Sequence, residues 1–212
     1  MPLIVLLLLI SAIQGCSSVE SAFGVRHIET GPEFKQEIIL QVGEDFRQHQ
    51  AARSSYDVGD LQSFHTQHTL PIVIEDAFKD LFGKVTVKDA AALANLEVNP
   101  PKVPAIFEVR IMDLAHDIYS DAQNYRAQIV IGVAMKSPRG KILWQQSFRG
   151  DGYTRADPSF STQMGPENAI LDALRSALEQ MQTAMAASSI IKNHMAHYAA
   201  SNQARQATEV QS

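Results

Sequence analysis

Residues 124–153 read NYRAQIVIGVAMKSPRGKILWQQSFRGDGY. Tyr125, Ala127, Ile129, Ile131, Val133 and Met135 recur at every second position, with Arg126, Gln128 and Lys136 on the opposite parity. Period two sends one set of side chains to a buried face and the other to water, the signature of a half-buried strand. After Ser137-Pro138-Arg139-Gly140 the alternation resumes. Ile142, Trp144 and Phe148 fall on one face, and Gln145, Ser147 and Arg149 on the other. Proline and glycine at such a junction suit a tight turn. The stretch predicts an antiparallel hairpin of two long strands.

Working outward, Phe107, Val109 and Ile111 alternate with Glu108 and Arg110, which predicts a third strand over residues 105–114. Asn99-Pro100-Pro101 and Pro104 make the segment before it a rigid loop. Near the start, Ile38, Leu40 and Val42 alternate with Glu37, Ile39 and Gln41 until Gly43 breaks the run, and residues 84–88 form a short β-rich stretch. Between these two, Leu70, Val73, Ile74, Ala77, Phe78, Leu81 and Phe82 recur at helical spacing. A helix within residues 61–82 follows, with Thr69 as its cap, Pro71 in its first turn and Gly83 at its end. Beyond the hairpin, Pro166 opens a second helix whose stripe is Ile170, Ala173, Leu174, Ala177, Leu178, Met181, Ala184 and Met185. It is expected to reach about His197, with Ser188-Ser189 as a weak point.

The order β–α–β–β–β–β–α predicts an α+β fold: a two-layer sandwich with a mostly antiparallel sheet of about four to five strands and two amphipathic helices on one face. Residues 33–200 are expected to form a single domain, followed by a polar tail over 201–212. The 212 residues suffice for one domain with a sizeable core, and 45% hydrophobic content is that of a globular chain. A net charge of −5 argues against a nucleic-acid partner, which needs a basic patch.

The first sixteen residues carry a different signal. Leu3 to Ile10 form an apolar block, continued by Ala12 and Ile13. The block is shorter than the ~20 residues that span a bilayer and fits a signal-peptide core. Ile13-Gln14-Gly15-Cys16 resembles the lipobox of bacterial lipoproteins. That resemblance implies cleavage after Gly15, a diacylglyceryl group on the Cys16 thiol and acylation of the new amino terminus. Two features depart from the pattern. Gln14 is unusual, and no Lys or Arg precedes the core, which points to a start upstream. Cys16 is the only cysteine, so it has no intrachain disulfide partner. Ser17, Ser18, Glu20 and Ser21 then open a polar tether over residues 16–32. Each buried acyl CH₂ contributes about 0.8 kcal/mol and firm anchoring takes more than one chain, which a triacylated cysteine supplies. Ser17 in place of Asp implies, by resemblance to the lipoprotein sorting rule, a lipid-anchored position on the periplasmic face of the outer membrane.

Signals of chemistry are weak. His65-Thr66-Gln67-His68 and His194-Met195-Ala196-His197 are HxxH pairs, but neither encloses the Glu of a zinc hydrolase motif. They read as surface histidines, and Met181, Met185 and Met195 as packing residues. Phosphate-loop and dinucleotide glycine patterns are missing from the sequence, and so is a G-x-S-x-G nucleophile setting. Asp113, Asp117 and Asp121 read as a solvated loop. Gly150-Asp151-Gly152-Tyr153 looks like a calcium-loop fragment, and is expected instead to bend an edge strand. The expectation is a non-enzymatic chain with no catalytic residues, cofactor or metal.

The block from Phe107 to Met185 resembles the YajG-type lipoproteins: a strand, a loop, Tyr125-Arg126-Ala127 opening a long strand, a hairpin, an aromatic return strand and a terminal helix. The order is similar also to LptE-like lipoproteins of lipopolysaccharide transport and to auxiliary lipoproteins of lipid-transporting ABC systems. The likeness implies an accessory or assembly role in the cell envelope, with a protein partner. The alternatives are a module binding lipid, glycan or peptidoglycan and, least, an envelope hydrolase. The sheet face free of helices is expected to present Arg110, Arg126, Gln128, Gln145 and Arg149 to a partner or ligand. Tyr153 and Leu143 are its surface candidates, and Trp144 joins Ile142 and Phe148 in the core.

Overall fold

In the computed structural model the β-patterned segments pair into one five-stranded sheet. The structure describes residues 32–44, 46, 66–94, 96, 98–118, 124–155 and 165–209. The signal segment, Cys16, the tether up to residue 31, His65 and Asp121 lie outside the described residues. The strands are β1 (Phe34–Val42), β2 (Phe82–Val87), β3 (Ile106–Ile118), β4 (Asn124–Lys136) and β5 (Ile142–Arg155). The helices are α1 (Thr66–Leu81), α2 (Gly165–Ala187) and α3 (Ser189–Glu209), with a short 3₁₀ turn at Ala91–Leu93.

The strand order is β2-β1-β3-β4-β5. The hairpin and its neighbour are antiparallel, as the alternation demands: β3 pairs with β4 from Ile106↔Lys136 to Ile118↔Tyr125, and β4 with β5. The other joints are parallel. β1 pairs in parallel with β2 on one side and β3 on the other, so the first strand is interior and the sheet is mixed. A parallel joint needs a long crossover, and α1 supplies the one from β1 to β2. It runs into β2 with no loop, because Phe82 ends the helical stripe and opens the strand.

Several expected boundaries shift. β3 runs to Ile118 rather than ending at residue 114, so Asp113 and Asp117 lie in the strand and not in a loop. The α1 helix starts at Thr66, which puts both Thr69, the expected cap, and Pro71 inside it rather than at its start. Gly83 lies within β2 instead of beyond the helix as a stop. A Cβ there would stand 2.9 Å from the Lys35 carbonyl oxygen, at the irregularity between Phe34 and Glu37 where β1 gains a residue on β2.

One layer of side chains joins sheet and helices. Ile38, Leu40, Phe107, Val109, Ile129, Ile131 and Met135 are fully buried against Ile74, Phe78, Leu174, Ala177 and Met181. Phe34, Phe78, Phe82 and Phe107 pack as an aromatic cluster, with ring centroids 5.1–6.2 Å apart, that locks α1 over β1, β2 and β3. Gln182 of α2 donates to the Ala77 carbonyl at 2.9 Å and ties the two helices together. A second, smaller cluster forms on the other face. There Ile39 and Ile106 meet Leu93 and Val103 from the loop before β3, with Leu96 against them. That loop explains why Ile39 is apolar on the parity that otherwise carries Glu37 and Gln41.

The weak point at Ser188-Ser189 is a real break. Ser188 is non-helical and its hydroxyl accepts from the Ile191 N–H at 3.4 Å, capping α3. The α3 helix continues to Glu209, so most of the expected polar tail is helical. Met181, Met185 and Met195 are buried, as the packing reading expects, and Ile191 is buried with them.

Candidate functional site: the open sheet face

The loop before β3 covers the β1 side of the second sheet face and leaves β3, β4 and β5 open. Register fixes what stands there. Glu108, Ala134 and Gln145 form one lateral row, and Arg110, Gly132 and Ser147 the next. Asp113, Val130 and Arg149 follow, then Gln128 beside Asp151 and Arg126 beside Tyr153. All six sequence-selected residues, Arg110, Arg126, Gln128, Gln145, Arg149 and Tyr153, thus share this face. Tyr153 is exposed, as expected.

Two bulges adjust the parity. The register shift between Ile111 and Asp113 makes Met112 an extra residue on β3. Its side chain lies over Gly132, where a Cβ would stand 3.0 Å from the Met112 Cγ and Sδ atoms. The shift between Met135 and Lys136 sets Trp144 opposite Met135 and Ile142 opposite Lys136. Leu143 is then the extra residue. It packs, half-buried, against the core, contrary to its expected surface position. Ile142 is exposed rather than in the core. Trp144 remains packed, its ring centroid 6.4 Å from that of Phe148.

The face is organised around two carboxylates, neither among the six residues that the sequence selects for it. Glu108 is 6% exposed, the only buried charged residue among those described. It pairs with Arg110 on its own strand and Lys136 on β4. Burial pushes its carboxyl pKa up, but the Lys136 and Arg110 hydrogen bonds outweigh this and hold it below its ordinary value. Asp151 accepts from Gln128 Nε2 at 2.8 Å and pairs with Arg126 at 3.4 Å and Arg149 at 3.8 Å. The Gln128 hydrogen bond holds its carboxyl low against the opposing effect of burial, helped by Arg149 and Arg126. Both carboxylates are therefore ionised at neutral pH and hold cations in place. A general acid needs the opposite shift. The signal that could have found them is spacing: a single acid on the polar parity of each strand, two residues from an Arg.

Gly150 and Gly152 face the helices. A Cβ at Gly150 would stand 1.8 Å from the Ala173 carbonyl oxygen, and one at Gly152 1.9 Å from that of Ala169. On this edge strand the two glycines make a helix seat, in which α2 lies directly on the β5 backbone. Asp151 between them projects to the open face. Glu108, Arg110, Met112, Gly132, Gln145 and Ser147 line a shallow hollow of about 420 Å³ on that face.

Of the histidine pairs, His194 donates its Nε2 proton to the Pro104 carbonyl at 2.8 Å and fastens α3 to the loop before β3. The His68 side chain lies outside what is described. Among the described residues no group of three or more His, Cys, Asp or Glu is placed to hold a metal ion.

No protein-family model matches the chain, and no curated protein matches it. Solved structures do. A candidate homologue of the neuraminyllactose-binding hemagglutinin from Helicobacter pylori is 10% identical, with a TM-score of 0.42, covering 85% of this chain and 97% of that one. A candidate lipoprotein from Caulobacter crescentus is 9% identical, with a TM-score of 0.39, covering 69% and 87%. A minor lipoprotein from Acinetobacter baumannii is 8% identical, with a TM-score of 0.36, covering 72% and 91%. At such distances the functional reading rests on the chain's own residues.

Proposed function

We propose that this chain is a lipid-anchored lipoprotein of the bacterial cell envelope, acting without catalysis as an accessory or assembly factor. The observation that carries the reading is Cys16, the only cysteine, set behind an apolar core and Ile13-Gln14-Gly15. No helix among the described residues is long and apolar enough to cross a membrane, so the acylated cysteine is the proposed attachment. The Ser17 position favours the outer membrane, periplasmic side. Within this class the order of elements favours the YajG-like, LptE-like or ABC-auxiliary types, which implies work in lipid or polysaccharide transport beside a protein partner.

The open face of β3, β4 and β5 is the proposed partner surface. Its cations are pre-ordered by Glu108 and Asp151, which lowers the entropy lost on docking. Tyr153 supplies an exposed aromatic of the kind that anchors interfaces. Photo-crosslinking residues placed at Gln145 and Tyr153 should capture one reproducible envelope protein in cells, and the same residue at Ile72 on α1 should not. Failure to capture any reproducible partner from the open face would overturn the assignment.

The hollow at Gly132 supports a second reading, a module for lipid, glycan or peptidoglycan. Native mass spectrometry with glycan and phospholipid probes tests it, and a Gly132→Leu variant should abolish any adduct.

A further inference from the structure

The strand register shows which end of the domain meets its tether. Ile39, Ile106, Lys136 and Ile142 stand in one lateral row across β1, β3, β4 and β5. β1 begins five residues before that row, β3 starts at it, and the β4–β5 turn leaves from it. The first described residues, the 137–141 turn and the chain leading into β3 therefore lie past the same end of the sheet. The start of α3 joins them, since Lys192 pairs with Glu33 at 3.4 Å and Tyr198 donates to the Lys102 carbonyl at 3.0 Å.

This end carries a distinctive surface. Arg139 and Lys141 line an open hollow with Leu96 and Val98. Val98 is 88% exposed and Ile142 is 51% exposed. Among the described residues, Lys102, Arg139 and Lys141 have no ion pair, whereas the cations of the open face are paired. Glu33, at the same end, is paired with Lys192. Asp89 accepts from the Ala92 N–H at 2.7 Å. In a chain of net charge −5, unpaired cations beside exposed aliphatic side chains are gathered where the tether arrives.

We propose that this end is a membrane-apposed footprint, in which Lys102, Arg139 and Lys141 bind anionic phospholipid headgroups and Val98 rests in the interface. The proposal builds on the lipid-anchor reading. Some seventeen residues reach at most ~60 Å, so the anchor sets a high local concentration of the domain over the bilayer, and reach alone does not define an orientation. Orientation then falls to surface charge. Each cation near an anionic surface raises partition about fivefold, so three give on the order of a hundredfold.

The acylated full chain tests this directly, because with Cys16 acylated an introduced cysteine is the only free thiol. Fluorophores at Val98→Cys or at Tyr153→Cys, at the opposite end, are read in vesicles of phosphatidylethanolamine with phosphatidylglycerol, using a nickel-chelating lipid as quencher. Quenching should be strong at 98 and weak at 153. It should fall at 98 when Lys102, Arg139 and Lys141 are all replaced by Gln, and when phosphatidylglycerol is left out. Vesicle flotation is measured on the same samples. Flotation with equal quenching at 98 and 153, or quenching at 98 indifferent to the triple substitution, overturns the footprint alone. Loss of flotation overturns the anchor and the footprint with it.

Discussion

Gly150 of β5 and Ala173 of α2 touch backbone to backbone: a Cβ on the glycine would stand 1.8 Å from the alanine carbonyl oxygen. The small residues Ala169, Ala173 and Ala177 recur every fourth position on α2, and Gly150 and Gly152 every second position on β5. The two periods mesh, so the helix seats on the edge strand. Gly150→Ala must push rigid backbone apart and should cost about 3 kcal/mol or more. Gly132→Ala meets only the flexible end of Met112 and should cost less than about 1 kcal/mol. Urea denaturation of both variants checks the contrast.

Glu108 should give the domain an acid-sensitive stability term. Its folded-state pKa lies below the ordinary 4.5, so as pH falls the unfolded chain takes up the proton first. The stabilisation is whole above that ordinary value and is lost as pH falls through the folded-state pKa. Glu108→Gln strands Lys136 and Arg110. At neutral pH it should cost about 1–2 kcal/mol, less than for a fully dry pair because Arg110 is largely exposed. Denaturation midpoints of wild type and variant should converge as pH is lowered below 4.5. A gap that stays constant with pH would refute the ionic origin.

Ser188 separates α2 from α3 and caps the latter through the Ile191 N–H. Ser188→Ala should destabilise by about 1 kcal/mol, and Ser188→Gly by only a few tenths. Thermal unfolding by circular dichroism distinguishes the two.

Local patterning made the hairpin, β3 and the two amphipathic stripes legible in the sequence, because each depends on neighbours within one strand or helix. The parallel placement of β1 between β2 and β3 was not legible. It is set by contacts such as Phe34 with Phe82, far apart in the chain. The bulges at Met112 and Leu143 also escaped, since a single extra residue inverts the parity beyond it without changing composition. The six surface residues were found by parity alone. Of the two acids that organise them, Glu108 was passed over because an isolated acid on a strand reads as solvated until its cross-strand partners are known, and Asp151 was read only as part of the Gly150-Asp151-Gly152-Tyr153 segment.

The central claim is the lipid anchor at Cys16. Cells fed an alkyne-bearing fatty acid and expressing wild type or Cys16→Ala give its most direct test, with click detection of the immunopurified protein. The account predicts label on the wild type and none on the variant. Equal label on both would contradict it.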